Sequence, residues 1–315
     1  MLRLSADLRR QAIDYAVYLV VRVVVCVLQS LSVEGAYTLV KPLALLAYAV
    51  DKKHRRVAII NLERAFGDQY TARQRQAMVL GVYEHFLRVF VEFVFIPRKL
   101  HVHNWKKYVT FDCPPATADL FVQDRSKIIV TGHFGNWEMA GYLLAVIGMK
   151  PTSIARDLDN AYLHDFVARF RRWSGQKIVS KKGDFDQIVQ TLVDRQPLVT
   201  VADQSAGPRG LFVDFFGRPA STHKAIALLS LEHDSPVVVG YAYREGRGFH
   251  YRVVASLAME PRDYQNQPGA VAALTQDFTF ELEEAVRRAP GQYLWLHDRW
   301  KHQPAAKSKK VRQAA

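Results

Sequence analysis

A histidine and a glutamate with the chemistry of a general base and its acidic partner stand five positions apart in this 315-residue chain. They are His133 and Glu138, inside Lys127-Ile-Ile-Val-Thr-Gly-His-Phe-Gly-Asn-Trp-Glu-Met-Ala-Gly141. A carboxylate beside an imidazole fixes its tautomer and stabilises the imidazolium, which is what a base acting on a hydroxyl requires. On one continuous helix five residues turn through about 140°, so the two side chains would not meet. A break has to bring them together, and the sequence offers one. The apolar run Ile128–Val130 stops at Gly132, Gly135 gives backbone freedom, and Asn136 is a capping residue for the helix that follows. His133 is then expected on a strand-end loop and Glu138 in a first helical turn. The N–H groups around Gly135 and Asn136 are candidates for holding an oxyanion. The alternative is a surface histidine and a capping asparagine that happen to precede a helix.

From residue 126 strand-like and helix-like segments alternate, with strands expected near 127–131, 151–155, 177–180, 197–202, 211–215, 236–243 and 249–255, and helices near 137–148, 160–173, 184–194, 222–232 and 270–289. That pattern predicts an α/β fold, a mixed, mostly parallel sheet flanked by helices. Sites in such sheets gather at the carboxyl ends of strands, where His133 falls. Asp203-Gln204 falls at another, and as a pair suits either hydrogen bonding to a sugar or pantetheine group or an ordinary turn. Arg156 follows a third strand and suits a phosphate or a solvated surface. Upstream, the capping-box pattern Thr71-Ala-Arg-Gln74 opens a helix expected to run to Pro97, with Glu84, Arg88 and Glu92 as a charge ladder. Its aromatic half, Phe86 to Ile96, fits core or the wall of an acyl groove.

Residues 3–31 place Arg3, Asp7, Arg10 and Asp14 on one side of a helix, with Arg22 at its margin and Val/Leu residues opposite. This suits a helix lying at a bilayer surface or entering it shallowly; a single span and a buried core helix are the other options. A second apolar stretch, Leu39–Val50, runs into Asp51-Lys-Lys-His-Arg-Arg56, attractive to anionic headgroups or simply a solvated helix end.

The net charge of +13 calls for an anionic partner: nucleic acid, anionic lipid or an acidic carrier protein. Nucleic acid is disfavoured, since no basic, aromatic-interleaved module is recognisable. A serine hydrolase is disfavoured too, as no Gly-x-Ser-x-Gly elbow occurs. Two differently placed cysteines, Cys26 and Cys113, form no disulfide framework and suit a reducing compartment. His101 and His103 lack the companions a metal site needs, so no metal is expected.

The phrase Gly-His-Phe-Gly-Asn-Trp-Glu resembles the His-x4-(Asp/Glu) signature as carried by the late acyltransferases of bacterial lipid A biosynthesis. Arg55-Arg-Val-Ala-Ile-Ile-Asn-Leu-Glu-Arg-Ala-Phe66, Asp203-Gln204, Phe215-Phe-Gly-Arg-Pro-Ala-Ser-Thr222 and Leu294-Trp-Leu-His-Asp-Arg-Trp-Lys301 follow in the order of that family. The resemblance implies transfer of a fatty acyl group from acyl carrier protein or acyl-CoA, as co-substrate and without a cofactor, to a hydroxyl of an anionic glycolipid such as a lipid A precursor; the alternatives are a different glycolipid or phospholipid acceptor, or a non-catalytic lipid-binding membrane protein of the same fold. His133 and Glu138 would be catalytic. An arginine of the helix before Gly175, Arg171 or Arg172, would bind substrate, and the protein would sit on the bacterial inner membrane with its site facing the cytoplasm. The expected layout is a membrane-associated helix over 1–33, an acyltransferase domain over 34–302 (helical to 125, α/β from 126) and a disordered basic tail over 303–315. Two departures touch acceptor identity: Pro290-Gly291-Gln292-Tyr293 stands where Pro-Glu-aromatic is usual, and Lys224 replaces a small residue. The Pro-Glu-Gly-Thr block of glycerophosphate acyltransferases is absent.

Overall fold

The computed structural model describes residues 2–180 and 183–304; Lys181, Lys182 and 305–315, most of the expected tail, lie outside the described residues. Four helices come first: α1 (Leu2–Ser30), α2 (Val33–Val50), α3 (Lys52–Phe66) and α4 (Ala72–Lys99). Then follow β1 (Val109–Asp112), α5 (Pro115–Val122), β2 (Lys127–Thr131), α6 (Trp137–Val146), β3 (Thr152–Ala155), α7 (Ala161–Trp173), β4 (Lys177–Ser180), α8 (Phe185–Val193) and β5 (Pro197–Val201). The chain closes with the hairpin β6 (Leu211–Phe215) and β7 (Arg218–Thr222), α9 (Ala225–Glu232), β8 (Val237–Arg244), β9 (Tyr251–Ala255) and α10 (Ala270–Arg288).

The seven-stranded sheet runs β1-β9-β8-β2-β5-β3-β4. Every pairing is parallel except β8 with β9, so the mixed, mostly parallel α/β architecture is as expected. β2 and β8 lie centrally with helices over both faces, and their Val/Ile runs are buried throughout. Register matters most at β5. It pairs with β2 over all five residues but with β3 only through Leu198 and Val199. Beyond those, the carboxyl ends of β5 and β3 part, and a cavity of about 570 Å³ opens between them.

Two expectations for α4 are corrected. The helix continues past Pro97 to Lys99, and Glu92 is no rung of a surface ladder. It is fully buried and accepts from the Arg244 guanidinium, Nη2 to Oε1 at 2.6 Å. Four elements were not anticipated: α3, α5, β1 and β7. β1 is a four-residue edge strand with one buried side chain, so it carries no alternation to read. It also brings part of the stretch expected to be helical into the sheet, and places Cys113 at a strand end rather than ahead of the sheet. The aromatic half of α4 is core: Val91, Phe95 and Ile96 pack with Met139 and Leu143, and no residue of α4 lines the cavity.

Candidate active site

β2 delivers His133 to the mouth of this cavity, and the turn after it does break as the spacing requires. Gly135 has φ +58°, and a Cβ there would stand 2.0 Å from the Ala242 carbonyl oxygen, so only glycine fits. Asn136 caps α6 by accepting the Met139 N–H at 2.9 Å. Glu138 then sits in the first turn of α6.

The partner of the imidazole is not Glu138, and the expectation that Glu138 holds the ring is corrected here. Asp203, just beyond β5, accepts from His133 Nδ1 at 2.8 Å through Oδ1 and from the His133 backbone N–H at 2.8 Å through Oδ2. Both carboxylate oxygens thus accept from His133, and Asp203 is buried and not among the residues that line the cavity. With Nδ1 protonated, Nε2 is the basic nitrogen. Burial opposes charge on the ring, but the Asp203 carboxylate and, at longer range, Glu138 outweigh it and raise the His133 pKa. Burial would likewise raise Asp203; its contacts with His133, and Arg299 nearby, hold it below the ordinary carboxylate range.

Glu138 instead receives Arg171 in a two-pronged pair, Nε to Oε2 at 3.0 Å and Nη2 to Oε1 at 2.5 Å, with Trp137 Nε1 donating to Oε1 at 3.1 Å. Arg171 Nη1 makes no hydrogen bond to another described residue, and Arg171, Glu138, His133 and Trp137 all line the cavity. Of the two arginines considered, Arg172 is exposed and off the cavity wall. Arg156 is on the rim, solvent-exposed and 3.7 Å from Asp159. Gln204 is exposed at the same mouth.

The amides expected to receive an oxyanion are occupied. Gly135 N–H donates to Gln292 O at 2.9 Å and Asn136 N–H to Ala242 O at 2.7 Å. The turn is instead clamped from behind. Asn136 Nδ2 donates to Glu92 Oε2 at 2.8 Å, while Glu92 also accepts from Tyr37 and Tyr251. His85 Nε2 donates to Gly135 O at 2.9 Å. Burial first, then Arg244, push the His85 pKa down to about 3, so the ring is neutral and its Nδ1 accepts from Arg244. Tyr293 bridges to Phe134, and Leu294 N–H donates to His133 O at 3.0 Å. Asn61 on α3 ties this C-terminal block down, donating to Trp295 O and His297 O at 2.8 and 2.7 Å. Phe66, Phe216 and Trp295 stack edge to face beside it. The scattered motifs therefore converge behind one turn.

Much of the cavity wall is apolar, including Ile154 of β3, Ile178 of β4, Phe185 and Ile188 of α8, and Ile226 and Leu229 of α9. The arrangement combines a basic nitrogen, a paired cation and an apolar chamber of a size usual for ligand sites, roughly 300–1,000 Å³. Among the described residues no cluster of three or more His, Cys, Asp or Glu side chains has an arrangement suited to a metal ion.

Several known acyltransferases are similar to this chain. A phosphatidylinositol mannoside acyltransferase of Mycolicibacterium smegmatis is 24% identical over 56% of this chain and 57% of its own length. A counterpart from Mycobacterium tuberculosis is 24% identical over 54% of its length, so the chain spans little more than half of these relatives. The lipid A biosynthesis palmitoleoyltransferase of Escherichia coli is 24% identical over 82% of both chains. Among solved structures, the 1-acyl-sn-glycerophosphate acyltransferase of Thermotoga maritima superposes with a TM-score of 0.40 at 11% identity, over 83% of this chain and 99% of that one. Residues 5–302, nearly the whole chain, match the sequence profile of one family, and the chain belongs to it: the bacterial lipid A biosynthesis acyltransferases.

Proposed function

We propose that the protein transfers a fatty acyl group from a thioester, on acyl carrier protein or coenzyme A, to a hydroxyl of an anionic membrane glycolipid, a lipid A precursor. The observation that carries this reading is His133, with Nε2 left basic by Asp203, at the mouth of a chamber with apolar walls. The acyl chain occupies that chamber and the thioester lies at its mouth. His133 Nε2 takes the proton from the acceptor hydroxyl, and the alkoxide oxygen bonds to the thioester carbonyl carbon. The tetrahedral oxyanion collapses with cleavage of the C–S bond, and His133 returns the proton to the departing thiolate. Arg171, neutralised in part by Glu138 but with Nη1 spare, sets positive charge beside the developing anion. This is a positioning as well as an electrostatic role, since Glu138 fixes the guanidinium plane. Exposed Arg156 and Gln204 at the rim are the groups placed to meet an acceptor headgroup.

No acyl-enzyme is involved. Cys26 is exposed on α1, and burial, with Asp112 beside it, raises the Cys113 thiol, which makes it a poorer nucleophile at neutral pH. The site faces the cytoplasm, where both thioester donors are found. Labelled acyl thioester supplied with a lipid A precursor in vesicles should give labelled glycolipid, and His133→Ala should lower the rate by roughly 10²–10⁴-fold. Near-native turnover of that variant, or a stoichiometric, turnover-competent acyl adduct on the intact protein when acceptor is withheld, would refute the mechanism. Labelling of a phosphatidylinositol mannoside in preference would move the acceptor to the class named by the mycobacterial relatives.

A further inference from the structure

Thr131 closes β2, and His133 follows two residues later in the turn beyond the strand. Both residues line the cavity. Thr131 is only 4% exposed, yet its hydroxyl makes no hydrogen bond to any described residue. A buried hydroxyl without a partner is costly, and native structures tolerate few of them. Two polar side chains in the same wall have partners: Ser153 donates to Gln176 Oε1 at 3.0 Å, and Gln176 Nε2 donates to Ser174 Oγ at 3.1 Å. Of the described residues with an orphaned buried polar atom, Thr131 alone lines this cavity. The turn amides cannot serve as oxyanion donors, since Gln292 O and Ala242 O already accept from them.

We infer that the Thr131 hydroxyl is a catalytic donor: it hydrogen-bonds the carbonyl oxygen of the acyl thioester and holds the oxyanion formed there when the acceptor oxygen adds. This rests on the acyl-transfer reading of the site and assigns the part that the turn amides leave unfilled. The hydroxyl keeps its proton throughout; only the hydrogen bond shortens as charge gathers on the carbonyl oxygen and relaxes when the C–S bond breaks.

Thr131→Val keeps the β-branched shape that suits a central strand and removes only the hydroxyl. Two unreactive pantetheine analogues with matched alkyl chains separate its effects: a thioether, which lacks the carbonyl, and a ketone with methylene in place of sulfur, which keeps it. Thr131→Val should weaken the ketone roughly tenfold and leave the thioether unchanged. In turnover it should lower kcat roughly a hundredfold. Thr131→Ser should restore both. If both analogues weaken alike, if neither does, or if Thr131→Val retains full kcat, Thr131 is not the donor, while acyl transfer by His133 still stands. If the unaltered protein binds neither analogue, the acyl-transfer reading falls and this assignment with it.

Discussion

His133 and Asp203 form a charge pair whose pH behaviour is set by opposite shifts. The raised His133 pKa means its pairing stabilises the fold fully below the ordinary imidazole value, ~6.5, and that this is lost as pH rises through the folded value. Asp203, held low, contributes above its ordinary value of ~3.9 and loses its contribution as pH falls through the folded value. The pair therefore stabilises most between roughly pH 4 and 6.5. The proposed base catalysis needs the opposite protonation state of the ring, since a base must be neutral. The acid limb of kcat/KM should accordingly have its midpoint above ~6.5. Asp203→Asn should move that midpoint down and lower the plateau, because the ring loses both its anion and its enforced tautomer. A limb left in place by that substitution would mean that something other than Asp203 sets the base. Asp203 could be placed at a strand end from sequence alone, but not as the partner of His133. Seventy residues separate them, and only the β2–β5 register brings them together. Glu138, five residues from His133, was the nearer candidate in sequence and proved to be the anchor for Arg171.

At the scale of elements, the strands with long apolar runs were legible to within a residue or two, because β2, β5 and β8 are buried on both faces and leave no ambiguity about what they are. β7 was not, since Arg218 and Pro219 look like turn material; a proline is tolerated there because β7 pairs with β6 alone. The turn after β2 was legible as a break but misjudged as an anion cradle. Gly135 is required for close approach to β8 rather than for ligand contact. What holds the turn is a network assembled from α2, α4, α6, β8 and β9 around Glu92, which receives Arg244, Tyr37, Tyr251 and Asn136. Such a hub is invisible in a sequence, where Glu84, Arg88 and Glu92 have ordinary helical spacing. Removing its charge should be far more damaging than removing one of its donors. Glu92→Gln leaves the buried Arg244 guanidinium without a counter-charge and should cost about 3–5 kcal/mol. Tyr37→Phe loses one hydrogen bond and should cost about 1 kcal/mol. Denaturant midpoints of the two variants in one detergent would decide it: equal losses would mean that the charge is not what the network depends on.

Over the whole molecule, the apolar surface is concentrated in the first two helices, which are consistent with membrane attachment. Asp7–Ser30 and Val33–Val50 are both long and apolar enough, by length and composition, to cross a bilayer, and little of either is buried. Val23, for example, is 62% exposed and Leu46 61%. α1 is also fixed to the α/β part of the chain: Tyr15 and Tyr18 pack against Tyr162, and the Arg22 guanidinium lies over Phe166 of α7, the helix that carries Arg171. The cations Lys52, Lys53 and Arg56 stand exposed in the first turns of α3, directly after α2. They lie between two helix ends of opposite sign: the negative pole at the end of α2, which favours cations, and the positive pole at the start of α3, which does not. An anionic headgroup layer beside α2 accounts for that placement, at about 1 kcal/mol per cation. A protein lacking residues 1–33 should therefore still float with anionic vesicles through α2 and this cluster, bind neutral vesicles less, and lose anionic preference in 1 M salt, where the screening length falls to about 3 Å. Replacing Lys52, Lys53 and Arg56 with glutamine in that truncated protein removes about 3 kcal/mol on the same scale, a drop of roughly a hundredfold in partitioning onto anionic vesicles with little change on neutral ones. Equal partitioning of the truncated protein onto neutral and anionic vesicles would show that the attachment is apolar alone and that the basic turn of α3 serves some other partner.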